Sequence, residues 1–286
     1  MLDSYLMTTE ENHPRRSHYA SDANACVRQL VYKWHQVTMS DPVTPGDVLK
    51  WRMGDAAEAL VGKALDWAKG QGLIADWEAQ VRREIEVDGL LHPIVIKLDY
   101  VVYPAGADQA ASEGVEVKSM FGRGIVNIQK TQQPKPDNMV QVLLYMHYGM
   151  RPRHTLVYLG RDFGYRTEFD VAYNADAQPT VTVNGVAYPM PPIEHFVSRF
   201  QFIESFLQDR FLQDSGLMPP REYLHAIKDG MLRDMFQERG QKYLSDWQCR
   251  YCNWKTRCWK PEVAKHMRGT NAEDFNRRGK QAEEEA

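Results

Sequence analysis

The sequence predicts an α/β protein in which a mixed sheet core is flanked by helices at both ends. Three observations predict it. Apolar residues recur every three or four positions from Leu49 to Ala68, the period of a helix with one face against a core. β-Branched and alternating runs then follow at 81–87, 94–103 and 114–120, and again at 154–160 and 165–173. Helical patterns return at 137–149, between those strands, and from residue 193 onward. Helices interleaved with acid-bearing strands argue for mixed layers rather than a bundle or a sandwich.

Each element has a local reason. Residues 1–19 carry acids, a proline and no apolar run, and read as a loose arm. Ser21 or Asp22 can cap a helix running through ACVRQLVYKWHQV. A Pro/Thr loop, DPVTPGD, leads into the long helix of about 48–69, which GQG ends. VRREIEV reads as a strand, IVIKLDYVVY as a buried strand, PAGADQAA as a loop and GVEVKSM as a further strand. QQPKPD breaks the chain before the helix DNMVQVLLYMHYG. HTLVYLG and YRTEFDVAY are two more strands, and PTVTVNGVAYPMPP is a hairpin turning at Asn184-Gly185. A helix is expected over 193–214, and the charged tail 269–286 is expected to be disordered.

Composition narrows the function classes. The 286 residues suffice for one large domain or two small ones. No stretch reaches the roughly 18 apolar residues that span a bilayer, and the N-terminus lacks the apolar core of a signal peptide. The expectation is a cytoplasmic protein with no membrane partner, or one in the host cytoplasm were the chain viral. A net charge of −3 excludes a generic polyanion binder. Residues 241–270 nevertheless hold seven Lys/Arg (Lys242, Arg250, Lys255, Arg257, Lys260, Lys265, Arg268) against Asp246 and Glu262. Such a segment is either a phosphate-facing surface or a solvated face.

Four cysteines are present: Cys26, Cys249, Cys252 and Cys258. The last three form C-x2-C-x5-C, a spacing that can wrap thiolates around one metal centre. Cys26 is the only thiol left to complete the set. Zinc accepts four thiolates, commonly as paired knuckles; an iron–sulfur cluster tolerates irregular spacing because it supplies its own scaffold. The arrangement resembles the iron–sulfur RecB-like nucleases, which include the CRISPR-associated exonucleases and AddB-type nuclease domains. That resemblance implies a [4Fe–4S] cluster held by Cys26, Cys249, Cys252 and Cys258, joining the N- and C-terminal helical regions.

The strands carry a second constellation. Asp99 sits inside the apolar run IKLDYVV, where a charge is costly unless paired or metal-bound. Glu116 and Lys118 are two apart in GVEVKSM, so alternation points both to one face. An Asp beside Glu-x-Lys makes a carboxylate–carboxylate–ammonium site suited to a hard divalent cation. The set resembles the PD-(D/E)xK core, with its restriction-endonuclease-like fold. It implies Asp99, Glu116 and Lys118 as catalytic residues, with Asp99, Glu116 and the Val117 carbonyl as Mg2+ or Mn2+ ligands. Glu58, in RMGDAAE, falls where the family has a further ligand, although iron–sulfur members often carry His there. Gln141 and Tyr145 match the Q-x3-Y motif, which implies substrate contact. Arg28, two residues after Cys26, could meet phosphate, and Tyr32 could pack behind the cluster. The aromatics Trp247, Tyr251, Trp254 and Trp259 are expected to shield it. The nine histidines form no H-x3-H or HExxH pattern and read as carrying no metal chemistry, with His92 the one to watch.

The organisation expected is one nuclease domain over 20–268, with a helical region at 20–70, a sheet core with the active site at 71–192 and a helical, cluster-binding region at 193–268. The resemblance implies a Mg2+/Mn2+-dependent DNA exonuclease acting on single-stranded DNA or DNA ends in recombination, repair, phage replication or spacer acquisition. A recombination or CRISPR-adaptation protein would be its partner. The alternatives are a non-catalytic DNA-end-binding protein on a nuclease fold and a zinc-stabilised endonuclease.

Overall fold

A computed structural model describes residues 2–7, 15–106, 111–162, 164–177, 180–207, 218–238 and 240–267. The tail 269–286, Arg268 and the end of the helix expected to reach 214 lie outside the described residues. The chain forms two compact units: Met1–Asn24 with Thr44–Glu204, and Ala25–Val43 with Ser205–Ala286.

In the first unit, α1 (Leu2–Met7) precedes β1 (His18–Tyr19) and a single 3-10 turn, Ala20–Asp22. The stretch expected as a loose arm thus ends inside the sheet, with Ser17 and His18 buried. The helix expected from Ser21 or Asp22 begins later, as α2 (Val27–Trp34) of the second unit, with Cys26 at its N-cap. Asp22 is occupied instead by the Arg15 guanidinium.

Helix α3 spans Pro45–Gly70, started by a capping box between Thr44 and Asp47 and by Pro45 in its first turn. Its apolar stripe is less buried than the period suggests. Only Val48 and Gly62 are fully buried, and Leu49, Met53 and Leu60 are exposed. The reason is a narrow line of contact. At Gly62 an added Cβ would lie 2.9 Å from the Tyr100 hydroxyl, so the helix backbone rides directly on that side chain.

The sheet follows: β2 (Ile74–Ile85), β3 (Ile94–Pro104), β4 (Glu113–Met120), then α4 (Arg123–Thr131) and α5 (Pro136–Gly149), then β5 (Arg153–Gly160), β6 (Arg166–Tyr173), β7 (Val181–Val183), β8 (Val186–Ala187) and α6 (Ile193–Glu204). The first half of β2 and the whole of α4 were not read from the sequence. The Asn184-Gly185 turn is as expected, with both residues at positive φ.

Strand order is β1-β3-β4-β5-β6-β7-β8, with β2 along the other edge of β3. The pairings β1–β3 and β4–β5 are parallel and the rest antiparallel, a mixed sheet. Its core lies beneath α5, whose buried face includes Met139, Val142, Leu143 and Met146. The architecture is thus a mixed sheet flanked by helices.

One detail of the sheet positions everything that follows. On the edge of β3 away from β2, β1 pairs only with Ile94 and Val95, and β4 only with Tyr100–Val102. Between these pairings β3 has no strand partner on that edge among the described residues, and β4 departs after Val115 to pair with β5. The two strands fork.

In the second unit, α2 accompanies two small hairpins, β9 (Ala226–Lys228) with β10 (Met231–Arg233) and β11 (Met235–Glu238) with β12 (Gln241–Leu244), followed by α7 (Trp247–Arg250) and α8 (Lys255–Met267). The hairpins were not foreseen. Tyr32, Val37 and Trp254 form a small core against which Cys252 and Cys258 pack.

Candidate active site

Asp99 and Glu116 are the first residues past the last β3–β4 pair, Tyr100 with Val115. A continued antiparallel ladder would put them opposite each other. Instead the Val117 N–H donates to Asp99 Oδ2 at 2.8 Å, so a side chain takes over where the backbone ladder stops. The fork opens a pocket of about 310 Å3 whose lining includes Tyr19, Glu58, Asp99, Glu116, Lys118 and Gln141.

Within it, Lys118 Nζ donates to Glu116 Oε1 at 2.5 Å and to Gln141 Oε1 at 2.8 Å. Gln141 Nε2 donates to Glu116 Oε1 at 2.7 Å and contacts the Tyr145 hydroxyl at the same distance. The i, i+4 spacing on α5 brings Gln141 and Tyr145 together. Both are buried, at 8% and 3% exposure, so they touch the catalytic candidates rather than an open groove.

Glu58 reaches the pocket from α3. Its backbone carbonyl accepts from the Tyr100 hydroxyl at 2.7 Å, and its carboxylate accepts from Gln80. Gln80, which nothing in its sequence context marks, adopts positive φ in β2 beside the Asp99 position of β3.

Burial dominates the electrostatics. It raises the pKa of Glu116 to about 7, with Lys118 opposing and Asp99 and Glu58 reinforcing the shift. Burial also raises Asp99, against the Val117 N–H and Lys118, and it raises Glu58, with Asp99 adding to the effect. Burial works against the charge on Lys118, yet Glu116 and the other acids raise its pKa, keeping the ammonium charged. Burial is the largest cause for all three carboxylates, and the mutual repulsion of the acids adds to it at Glu58 and Glu116. Among the described residues, the oxygens of Glu58, Asp99 and Glu116 are not drawn within 4.8 Å of one another. Lys118 occupies the negative charge of Glu116.

The cysteines all fall in the second unit. They are free of disulfides, and among the described residues no three of their sulfurs lie within 4.8 Å of one another. The four cysteines read from the sequence as one ligand set are therefore not drawn into a close group by these side chains. Burial raises Cys249 to about 12 and Cys252 to about 11, and neighbouring thiols add to both shifts. Arg28 donates from Nε to the Pro219 carbonyl at 2.8 Å and from Nη1 to Cys258 Sγ at 3.5 Å, so its guanidinium sits against protein groups. Tyr32 stacks on Trp254 at 5.9 Å. Trp254 and Trp259 are buried, whereas Trp247 and Tyr251 are exposed; two of the four aromatics, not all, can shield the thiols.

A further ligand-type group was missed. His18, His92 and Glu204 place one donor atom each within 4.8 Å of one another. Their separation in sequence left no spacing to read, and only His92 had drawn notice.

No protein family and no curated protein matches the chain. Among solved structures, it is similar to the crystal structure of SSO0001, at 16% identity and a TM-score of 0.48, over 88% of this chain and 94% of that one. An alkaline exonuclease from Laribacter hongkongensis, LHK-Exo, is similar at 12% identity and a TM-score of 0.38, over 69% and 89%. The same enzyme in complex with dAMP gives 12% and 0.35. These are distant likenesses of overall shape. No helix among the described residues is long and apolar enough to cross a membrane.

Proposed function

We propose that the chain is a Mg2+- or Mn2+-dependent deoxyribonuclease, acting as an exonuclease on single-stranded DNA or DNA ends during recombination, repair, phage replication or spacer acquisition. The observation that carries this reading is the fork between β3 and β4, where Asp99, Glu116 and Lys118 line one pocket together with Glu58.

The donor set fits a hard divalent cation, because it is all oxygen and short of positive charge. Asp99, Glu116 and Glu58 would hold it, with the Val117 carbonyl as a further ligand. Such a cation neutralises charge on the scissile phosphate and acidifies a bound water. The chain's own groups do the rest. Lys118 keeps its proton on Nζ and presents a positive charge where the attacking water and the phosphate meet. Gln141 fixes Lys118 and Glu116 relative to each other, and Tyr145 fixes Gln141. Both are positioning residues in this reading, and Arg28 is left to the thiol site rather than to DNA.

The four thiols are read as ligands of a [4Fe–4S] cluster. Zinc–thiolate bonds of about 2.3 Å would bring all four sulfurs to about 3.8 Å of one another, whereas among the described residues no three of them lie within 4.8 Å. A cluster with its own sulfides holds its thiolates farther apart, and its iron supplies the charge that buried thiolates need. Arg28 and the Trp254 N–H, each directed at a cysteine sulfur, suit thiolate ligands. The basic segment containing Lys255, Arg257 and Lys260 would meet the strand.

End-labelled linear and circular single-stranded DNA, incubated with Mn2+, test the nuclease reading. Loss of label from the linear substrate alone is expected, and Glu116→Gln should abolish it. Full cleavage by Glu116→Gln would overturn the assignment; tight DNA binding without hydrolysis by the native chain would mean an end-binding protein instead. Iron and sulfide analysis of anaerobically purified protein tests the cluster, and stoichiometric zinc without iron would overturn that part.

A further inference from the structure

We infer that His18, His92 and Glu204 form a second metal site, selective for Zn2+ and separate from the carboxylate pocket. The three residues come from β1, the turn entering β3 and the last position of α6, and Glu204 Oε1 is their common point. His18 Nε2 stands 3.0 Å from it and His92 Nδ1 3.2 Å. Zinc bound to nitrogen and oxygen at about 2.0–2.1 Å in a tetrahedron separates its ligands by about 3.3 Å. Both histidine–carboxylate separations therefore already stand near that spacing, and all three donor atoms lie within 4.8 Å of one another.

The surroundings are those of a built site. Glu204 is 4% exposed, and its carboxylate accepts the Leu91 N–H on Oε2 at 2.9 Å and the His92 N–H on Oε1 at 2.9 Å. Outer hydrogen bonds of this kind fix a carboxylate in a ligating orientation. Among the described residues, its only ionic partners are the two histidines. His18 is 1% exposed and its ring stacks on Phe200 at 4.5 Å. His92, one-third exposed, leaves a solvent-facing side for a fourth ligand.

Two imidazoles and one carboxylate favour zinc over Mg2+, whereas the all-oxygen pocket has the opposite preference. An ion here would tie β1 to β3 and α6. Tyr19 and Val95, the neighbouring paired residues of β1 and β3, line the candidate active site, so the ion would steady one wall of that pocket without entering it. The inference does not depend on the nuclease reading.

Zn2+ uptake decides it. Full-length protein dialysed against EDTA and then metal-free buffer is titrated with Zn2+ alone, and bound metal is counted by equilibrium dialysis. The native chain should take up one equivalent more than either His92→Gln or Glu204→Gln. His92→Gln alters a partly exposed ring and serves if the buried Glu204→Gln fails to fold. With Co2+ as the probe, the native-minus-His92→Gln spectrum should show four-coordinate d–d bands without thiolate charge transfer, which separates this site from the cysteines. Equal uptake by native and His92→Gln protein would overturn the site and leave a histidine–carboxylate clasp.

Discussion

Gln141 grips Lys118 and Glu116 at once, accepting from the ammonium at 2.8 Å and donating to the carboxylate at 2.7 Å. The three thus form a closed triangle, since Lys118 also donates to Glu116. Removing one corner leaves buried charges without their partner. We predict that Gln141→Leu lowers kcat for end-labelled DNA by about 10–100-fold, the usual cost of losing an outer-sphere partner. KM should change little. A large rise in KM with unchanged kcat would instead make Gln141 a DNA contact.

Glu116 should make cleavage pH-dependent. Its carboxyl, raised from the usual 4.5 to about 7 by burial, holds a proton that a metal must displace. We predict that activity at low Mn2+ falls as pH drops below about 7 and that added Mn2+ shifts the fall to lower pH. An Mn2+-independent profile would refute the competition.

The same group affects metal-free stability with a defined sign. Its folded pKa lies above the unfolded one, so the folded chain binds the extra proton between pH 4.5 and about 7. That contribution is complete below 4.5 and is lost as pH rises through 7. Metal-free native protein should therefore lose Tm relative to Glu116→Gln on going from pH 5 to pH 8, and Mn2+ should restore it. Parallel Tm curves for the two proteins would contradict this.

His154 lies against Gly114, its register partner across β4 and β5. An added Cβ at Gly114 would fall 2.0 Å from His154 Nε2. Gly114→Ala should cost about 1–3 kcal/mol in urea unfolding, the range for overpacking a closed core. Burial also lowers the His154 pKa from 6.5 to about 3. Here the unfolded chain binds the proton first, so stability is full above 6.5 and falls as pH drops toward 3. His154→Leu should flatten that acid slope, and an unchanged slope would count against a neutral buried ring.

Cys258→Ser should remove iron and visible absorbance and lower Tm. Mn2+ affinity at the carboxylate pocket should stay within about threefold, because that pocket is built wholly from the other unit. Iron content unchanged from the native protein would remove Cys258 from the ligand set.

Periodic and local features follow from the chain alone. The strands carrying Asp99 and Glu-x-Lys, the Q-x3-Y helix and the Asn184-Gly185 turn were legible because alternation, helical spacing and turn chemistry act over a few residues. The shared face of Glu116 and Lys118 followed from the same rule. Where β3 and β4 part emerges only on folding, because strand pairing is a long-range choice no local pattern encodes. That fork makes a pocket of acids that would otherwise be a ladder. Tertiary packing also decided that α3 buries little beyond a glycine seat on Tyr100, that Gln80 turns to Glu58, and that Arg28 faces Pro219 and Cys258. It alone assembled His18, His92 and Glu204, three residues from distant parts of the chain that meet because one buried carboxylate can take them all.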